Sequence, residues 1–211
     1  PGHGDTYEDS HKTLPTINHS RERLDSVELF PFRTLINDIG SIMIAHLNVP
    51  SLDNSKDLAV SLSKKVVTNL LKDQYGYNGL IITDALNMKG VSSFYNSGLL
   101  ELKALLAGND ILLFSQDVPK AISEIKNAID NEIIDKKEIE VRCRKILNFK
   151  YWMGLNDLKP LKIQKIKREL NNQKSILLNR KLFENSVTLL QNYNNIIPLK
   201  RLDTLKIASL A

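Results

Sequence analysis

The chain has 211 residues, 42% of them hydrophobic, which is enough for one sizeable core or for one domain and part of another. Its net charge is +5, but Lys159, Lys162, Lys165, Lys167, Arg168, Lys174, Arg180 and Lys181 are spread among Leu and Ile like a solvated helix face or linker, which argues against a nucleic-acid partner. No apolar run approaches the roughly eighteen residues of a membrane span, and the single cysteine, Cys143, cannot form an internal disulfide and is expected to pack within a helix.

The chain opens on PGHGDTYEDSH (1–11), which crowds glycines, acids and two of the four histidines into one loop. It starts without Met and reads as a fragment, so neither a signal peptide nor a location can be read from it. SVELFPFRTLINDI (26–39) has helical spacing, with Pro31 tolerable only in a first turn. SIMIAH (41–46) is a short β-rich run. LSKKVVTNLLKDQYG (62–76) predicts a helix with Ser63 as N-cap and Gly76 as stop. GLIITD (79–84) is a second such run, LLELKALLAG (99–108) a helix ended by glycine, and NDILLF (109–114) a third run. VPKAISEIKNAI (118–129) begins a helix with proline near its start. KKEIEVRCRKILNFKYWMGL (136–155) predicts a helix with Ile139, Val141, Ile146, Leu147 and Phe149 on its apolar face, closed by Gly154.

Uninterrupted apolar runs alternating with helices, roughly thirty to forty residues apart, define βα units and a parallel sheet. The fold class is therefore α/β, with the sheet either open or closed into a barrel. No glycine-rich turn follows a strand, which disfavours dinucleotide binding. After residue 155 a basic stretch reads as a linker with some helical tendency. LNRKLFENSVTLLQN (178–192) then resumes a helical rhythm, and LKIASLA (205–211) starts an apolar strand.

Asp84 is the sharpest chemical signal. An apolar strand delivers it to a carboxyl end, where a carboxylate must be satisfied or used; it caps the turn ALNMKG or does chemistry there. Asp9 and His11 are two apart, so on an extended segment they face the same way, and the carboxylate favours a charged imidazole. Such a pair can lend and recover a proton. His3, Asp5, Asp9 and His11 also allow a metal reading, but their spacing matches no specific ligand pattern and no metal is expected. His3 and Gly4 shape a tight turn or meet a ligand. His46 lines a pocket or satisfies a strand end, Met88 lines a pocket or packs, and His19 reads as a surface residue.

PGHGDTYEDSH, RERLDSVELFPFR, IAHLNVPSLD, GLIITDALNMKGV and LLAGNDILL stand in the order and spacing of glycoside hydrolase family 3, and the chain resembles its β-N-acetylglucosaminidase branch. ENSVTLLQNYNNIIPL resembles the opening of the α/β sandwich domain found in many members. The resemblance implies the C-terminal part of a (β/α)8 TIM-type barrel at 1–154, a linker at 155–177, and the start of an α/β sandwich at 178–211. About five of the eight βα units would then lie outside the chain, as would the Lys-His pair that precedes PGHG in that branch and contacts the sugar.

The same resemblance implies retaining hydrolysis of terminal β-linked N-acetylglucosamine in a peptidoglycan- or chitin-derived saccharide, without a cofactor. Asp84 is then the nucleophile, His11 the general acid/base and Asp9 its partner, with His3, Gly4, His46 and Met88 as candidate sugar contacts. The alternatives are a non-catalytic saccharide-binding remnant, a β-glucosidase, or a phosphorylase of the same family.

Overall fold

The computed structural model describes residues 2–160, 163–200, 203, 204 and 206. The chain divides into two compact units, Pro1–Asp157 and Leu158–Ala211.

In the first unit, β1 (Ser41–Ile44) and β2 (Leu80–Thr83) pair in parallel, with Ser41 opposite Leu80 and Ile44 opposite Thr83. The backbone N–H of Asp84 continues the ladder by donating to Ile44 O at 2.9 Å. The third apolar run lies beside β2 but makes only one parallel bridge, Ile111 to Ile82. Side chains take its ladder positions: Asp110 Oδ2 accepts the Ile81 N–H at 2.9 Å, and Thr83 Oγ1 accepts the Leu113 N–H at 3.0 Å. Phe114 then turns away with a φ of 51°. The expected third strand is thus a paired segment ended early by side-chain substitution of backbone partners.

β1 is less enclosed than an uninterrupted apolar run predicts, whereas β2 is almost wholly buried. Along β1 burial alternates: Ile42 and Ile44 are buried, whereas Met43 is 54% exposed. One face of β1 packs on the helices and the other is open.

The expected helix over 26–39 is realised only as the short α2 (Phe30–Leu35), and a separate short helix, α1 (Arg21–Ser26), ends where the expected one would begin. Pro31 sits in the first turn of α2, where its missing N–H has no intrahelical partner to lose. Ser20 caps α1 by accepting the Arg23 N–H. The segment Lys65–Gln74 is helical but wound in wide π-type turns. Ser63 caps it through the Val66 N–H at 3.3 Å, and Gly76 follows with a φ of +68°. Asp53 anchors the same corner, since its carboxylate accepts from the hydroxyls of Ser55 and Ser63 and from Lys65 Nζ.

After β2 come α3 (Lys89–Ser92), α4 (Leu99–Ala107), α5 (Val118–Asp130) and α6 (Lys136–Trp152). Asp117 and Asp135 accept backbone N–H groups at the starts of α5 and α6, which compensates donors that a helix start leaves unpaired. Ile17, Leu47, Val67 and Ile81 form the centre of the main core. A second cluster, with Leu86, Val91, Leu100 and Ala104, lies under the segment that follows Asp84.

Along α6 the half-buried positions include Ile139, Arg142, Lys145, Ile146 and Phe149, whereas Val141 and Leu147 are exposed. Polar groups share the inner face because Arg142 donates to the carbonyls of Leu105 and Asn109, and Lys145 pairs with Asp110 at 2.6 Å. Cys143 is exposed rather than packed, because it lies off that face.

In the second unit, α7 (Ile163–Leu170) and α8 (Gln173–Ser186) occupy much of the basic stretch. Helix α8 begins inside the segment expected as a linker, where Asn172 accepts the Ser175 N–H at 3.0 Å. The expected strand at 205–211 lies outside the described residues except for Lys206. Among the described residues no helix is long and apolar enough to cross a membrane.

Candidate active site

Asp84 follows the last residue of β2 and is half-buried. Its backbone is fixed by Ile44 O, and its Oδ1 accepts the N–H of Ala85 at 2.8 Å. One carboxylate oxygen thus braces the turn. Both sequence-based readings of this residue are compatible with that geometry, because bracing one oxygen does not occupy the group.

His46 lies two residues beyond β1 and is wholly buried. Its Nε2 lies 3.1 Å from Ala85 O and its Nδ1 2.7 Å from Ser61 Oγ. A carbonyl only accepts, so Nε2 carries the proton and Nδ1 accepts from the serine hydroxyl. Burial lowers the imidazole below its ordinary pKa of 6.5, against the opposing pull of the Asp84 charge. With both nitrogens engaged and no exposed surface, His46 clamps the backbone behind Asp84 and lines no open pocket. Met88, 6% exposed, is likewise packed inward. Both were expected as candidate sugar contacts, and both are held in the interior instead.

Asp9 and His11 stand at the surface. His11 Nδ1 is 2.9 Å from Asp9 Oδ1, and the same oxygen accepts the backbone N–H of His11 at 3.0 Å. The His11 backbone N–H and then its ring hold the Asp9 carboxyl below its ordinary value. The side chain of His11 is 77% exposed, with Nε2 on the side of the ring away from Asp9. That is the arrangement a proton carrier needs: one nitrogen oriented by a carboxylate, the other directed outward.

The other polar residues of the opening loop pair off separately. His3 Nε2 meets Ser10 Oγ at 2.8 Å, and Ser10 is buried. Gly4 turns with a φ of +59°, a backbone conformation that glycine adopts without strain. Asp5 holds His19 Nε2 at 3.0 Å through both oxygens, and His19, expected as a free surface residue, is half-buried. That bond lowers the Asp5 carboxyl. The four side chains of the metal alternative are therefore committed to three different partnerships, and among the described residues no group of three ligating side chains converges.

The loop meets the Asp84 segment directly. Lys89 N–H, at the start of α3, donates to His11 O at 3.3 Å. Sequence reading did not pick out Gly90, since an isolated Gly in a helical turn is tolerated and does not by itself mark a site. A cavity of about 820 Å³ lies at the other end of the strands, lined by Lys72, Asp110, Arg142, Lys145, Phe149 and Trp152 among others. It includes neither Asp84 nor His11, so its size is not a guide to the chemistry.

Parallel βα units with a carboxylate at a strand's carboxyl end and a histidine–aspartate pair on an adjoining loop define a class: α/β domains whose chemistry sits at one end of the sheet. The family model for the glycosyl hydrolase family 3 N terminal domain matches residues 1–149. The chain belongs to that family. It is 40% identical over 124 residues to a beta-hexosaminidase A of Pseudoalteromonas piscicida, covering 54% of this chain and 21% of that protein. It is 36% identical over 115 residues to a beta-hexosaminidase of Tolumonas auensis, covering 54% and 34%. A family 3 beta-N-acetylglucosaminidase structure from Paenibacillus superposes with a TM-score of 0.74 at 34% identity, covering 85% of this chain and 35% of the other. The chain thus spans about a fifth to a third of the length of these relatives.

Proposed function

We propose that the chain carries the nucleophile and the acid/base of a retaining β-N-acetylglucosaminidase, acting on terminal β-linked N-acetylglucosamine of peptidoglycan- or chitin-derived saccharides. The observation that carries this reading is the junction between the two halves of the chemistry. Asp84 directly follows β2, and five residues later the Lys89 N–H donates to the carbonyl of His11, whose ring is oriented by Asp9. The names of the relatives, β-hexosaminidase and β-N-acetylglucosaminidase, support the sugar.

In the first step an oxygen of the Asp84 carboxylate attacks the anomeric carbon, and the glycosidic C–O bond breaks as charged His11 gives its proton to the departing oxygen. In the second, neutral His11 takes a proton from water, whose oxygen displaces Asp84 and restores the carboxylate. Two inversions retain the configuration. A carboxylic acid is the usual proton donor here. A neutral imidazole has the advantage that it does not repel the nearby nucleophile, and Asp9 orients the ring. Asp84 is the nucleophile in this reading, His11 the acid/base, Asp9 its orienting partner, and His3 and Gly4 shape the loop. His46 and Met88 act as supports beneath Asp84.

Residues 1–154 are read as the C-terminal part of a barrel, 155–177 as a linker and 178–211 as the start of a sandwich domain. The open face of β1, with Met43 exposed, supports the barrel reading, since the inward face of a barrel strand is covered only by the other strands.

The test uses the full-length protein. In His11→Ala, hydrolysis of an N-acetylglucosaminide with a poor leaving group should fall by about 10²–10⁴. A dinitrophenyl glycoside, which needs no proton, should still form the covalent intermediate. Equal loss with both substrates sinks the acid assignment, and a preference for glucosides over N-acetylglucosaminides sinks the sugar.

A further inference from the structure

The loop that carries Asp9 and His11 rests on α3 through backbone atoms. Asp9 O accepts the N–H groups of Lys12 and Thr13 at 2.9 and 3.1 Å, closing a turn over residues 9–13. Its carbonyls face α3. His11 O accepts from Lys89 N, and the carbonyls of Ser10 and Thr13 crowd Gly90. A Cβ on Gly90 would stand 2.4 Å from Thr13 O and 2.8 Å from Ser10 O. Gly90 does not have a positive φ, so conformational freedom is not what calls for glycine there; the missing side chain is.

On its other side α3 is tied to Asp84. The Met88 N–H donates to Ala85 O at 3.0 Å, the same carbonyl that takes the His46 proton, and Asp84 Oδ1 holds the Ala85 N–H. Asp84 and the turn bearing His11 are therefore seated on one short, braced segment, residues 84–90.

We propose that Gly90 is a positioning residue: its bare Cα, together with the Lys89 N–H, sets how closely the acid/base loop sits against the segment that holds Asp84. The inference rests on reading His11 as the acid/base. The carbonyls that face Gly90 are main chain and cannot rotate aside as a flexible side chain could. An alanine there must lift the loop by roughly 1 Å to reach an ordinary carbon–oxygen contact. A displacement of that size weakens a proton transfer more than it weakens folding, since reacting groups tolerate little misplacement.

The experiment compares Gly90→Ala and Lys89→Pro in the full-length protein, using methoxyphenyl and dinitrophenyl N-acetyl-β-glucosaminides. Lys89→Pro removes the donor to His11 O together with the exposed Lys89 side chain. Proline is tolerated at the first position of a helix, and Met88 already has the extended backbone, ψ 137°, that precedes proline readily. The expected result is a loss of about 10–100-fold on the methoxyphenyl substrate for Gly90→Ala. Lys89→Pro should show a smaller loss of the same kind. In both, the loss on the dinitrophenyl substrate should be several-fold less. Equal losses on the two substrates, or no loss on either, overturn the inference. If Gly90→Ala does not fold, Lys89→Pro decides it alone. His11→Ala run alongside separates the two failures: a leaving-group dependence in His11→Ala but in neither neighbour leaves the acid/base reading standing and removes the seat. No such dependence in His11→Ala removes both.

Discussion

Asp84 follows β2 and is half-buried, His46 lies just beyond β1 and is wholly buried, and the Asp84 N–H, one Asp84 carboxylate oxygen and both His46 ring nitrogens have hydrogen-bond partners. Asp9 and His11 belong to a loop whose functional side chains stand in solvent, 48% and 77% exposed. The two regions touch through main-chain groups of residues 10–13 and 89–90. The difference matches the two tasks proposed for these residues. A nucleophile must be held at one point relative to the sheet, and a proton carrier must reach a leaving group and then a water. Strand ends supply rigidity, and loops supply reach.

Variants can break that comparison. The largest effect is expected for Asp84→Asn in the full-length protein: turnover should drop by about 10⁴-fold with Tm nearly unchanged, measured with any aryl N-acetylglucosaminide. A drop below tenfold would remove Asp84 from the chemistry. Next is Asp9→Asn, which keeps the shape but not the charge. It should cost about 10-fold or more on poor leaving groups while leaving thermal unfolding in place, since the pair is exposed.

In the interior the balance is reversed. His46→Ala should destabilise the protein by about 2 kcal/mol in denaturant titration, because Ser61 and Ala85 O lose a buried partner. The pH dependence has a definite sign. The folded pKa of His46 lies below 6.5, so the unfolded chain binds a proton that the folded one does not. The contribution of His46 is complete above that value and declines as pH falls, and this slope should vanish in the variant. Asp53→Asn is expected to cost slightly less, about 1–2 kcal/mol at neutral pH. Burial opposes the charged form, but the bonds from Ser63, Lys65 and Ser55 outweigh it and bring Asp53 to about 2. Its contribution is therefore complete above the ordinary carboxylate value of 3.8 and is lost as pH falls towards 2. Wild type and variant should converge in stability across that range.

Element identity was legible from local pattern. Ile-rich runs gave β1 and β2, and the capping residues Ser63, Asp117 and Asp135 stand where the helices begin. The third run misled because its Asp110 and the facing Thr83 replace backbone partners with side-chain atoms, and a pattern of apolar letters does not register such a substitution. The helix expected over 26–39 is shortened to Phe30–Leu35, which starts one residue before Pro31 because proline fits only a first turn.

The candidate site divides along the same line. Asp84 at a strand end and the Asp9–His11 pair are short-range features, separated by one or two residues from what defines them, so the sequence alone determined them. The pairing of His19 with Asp5, the burial of His46 behind Ala85 and the seat of the loop on Gly90 join residues from 14 to about 80 positions apart. No periodicity encodes such contacts. They depend on which backbone atoms come close once the core has formed, and only the tertiary structure decided them.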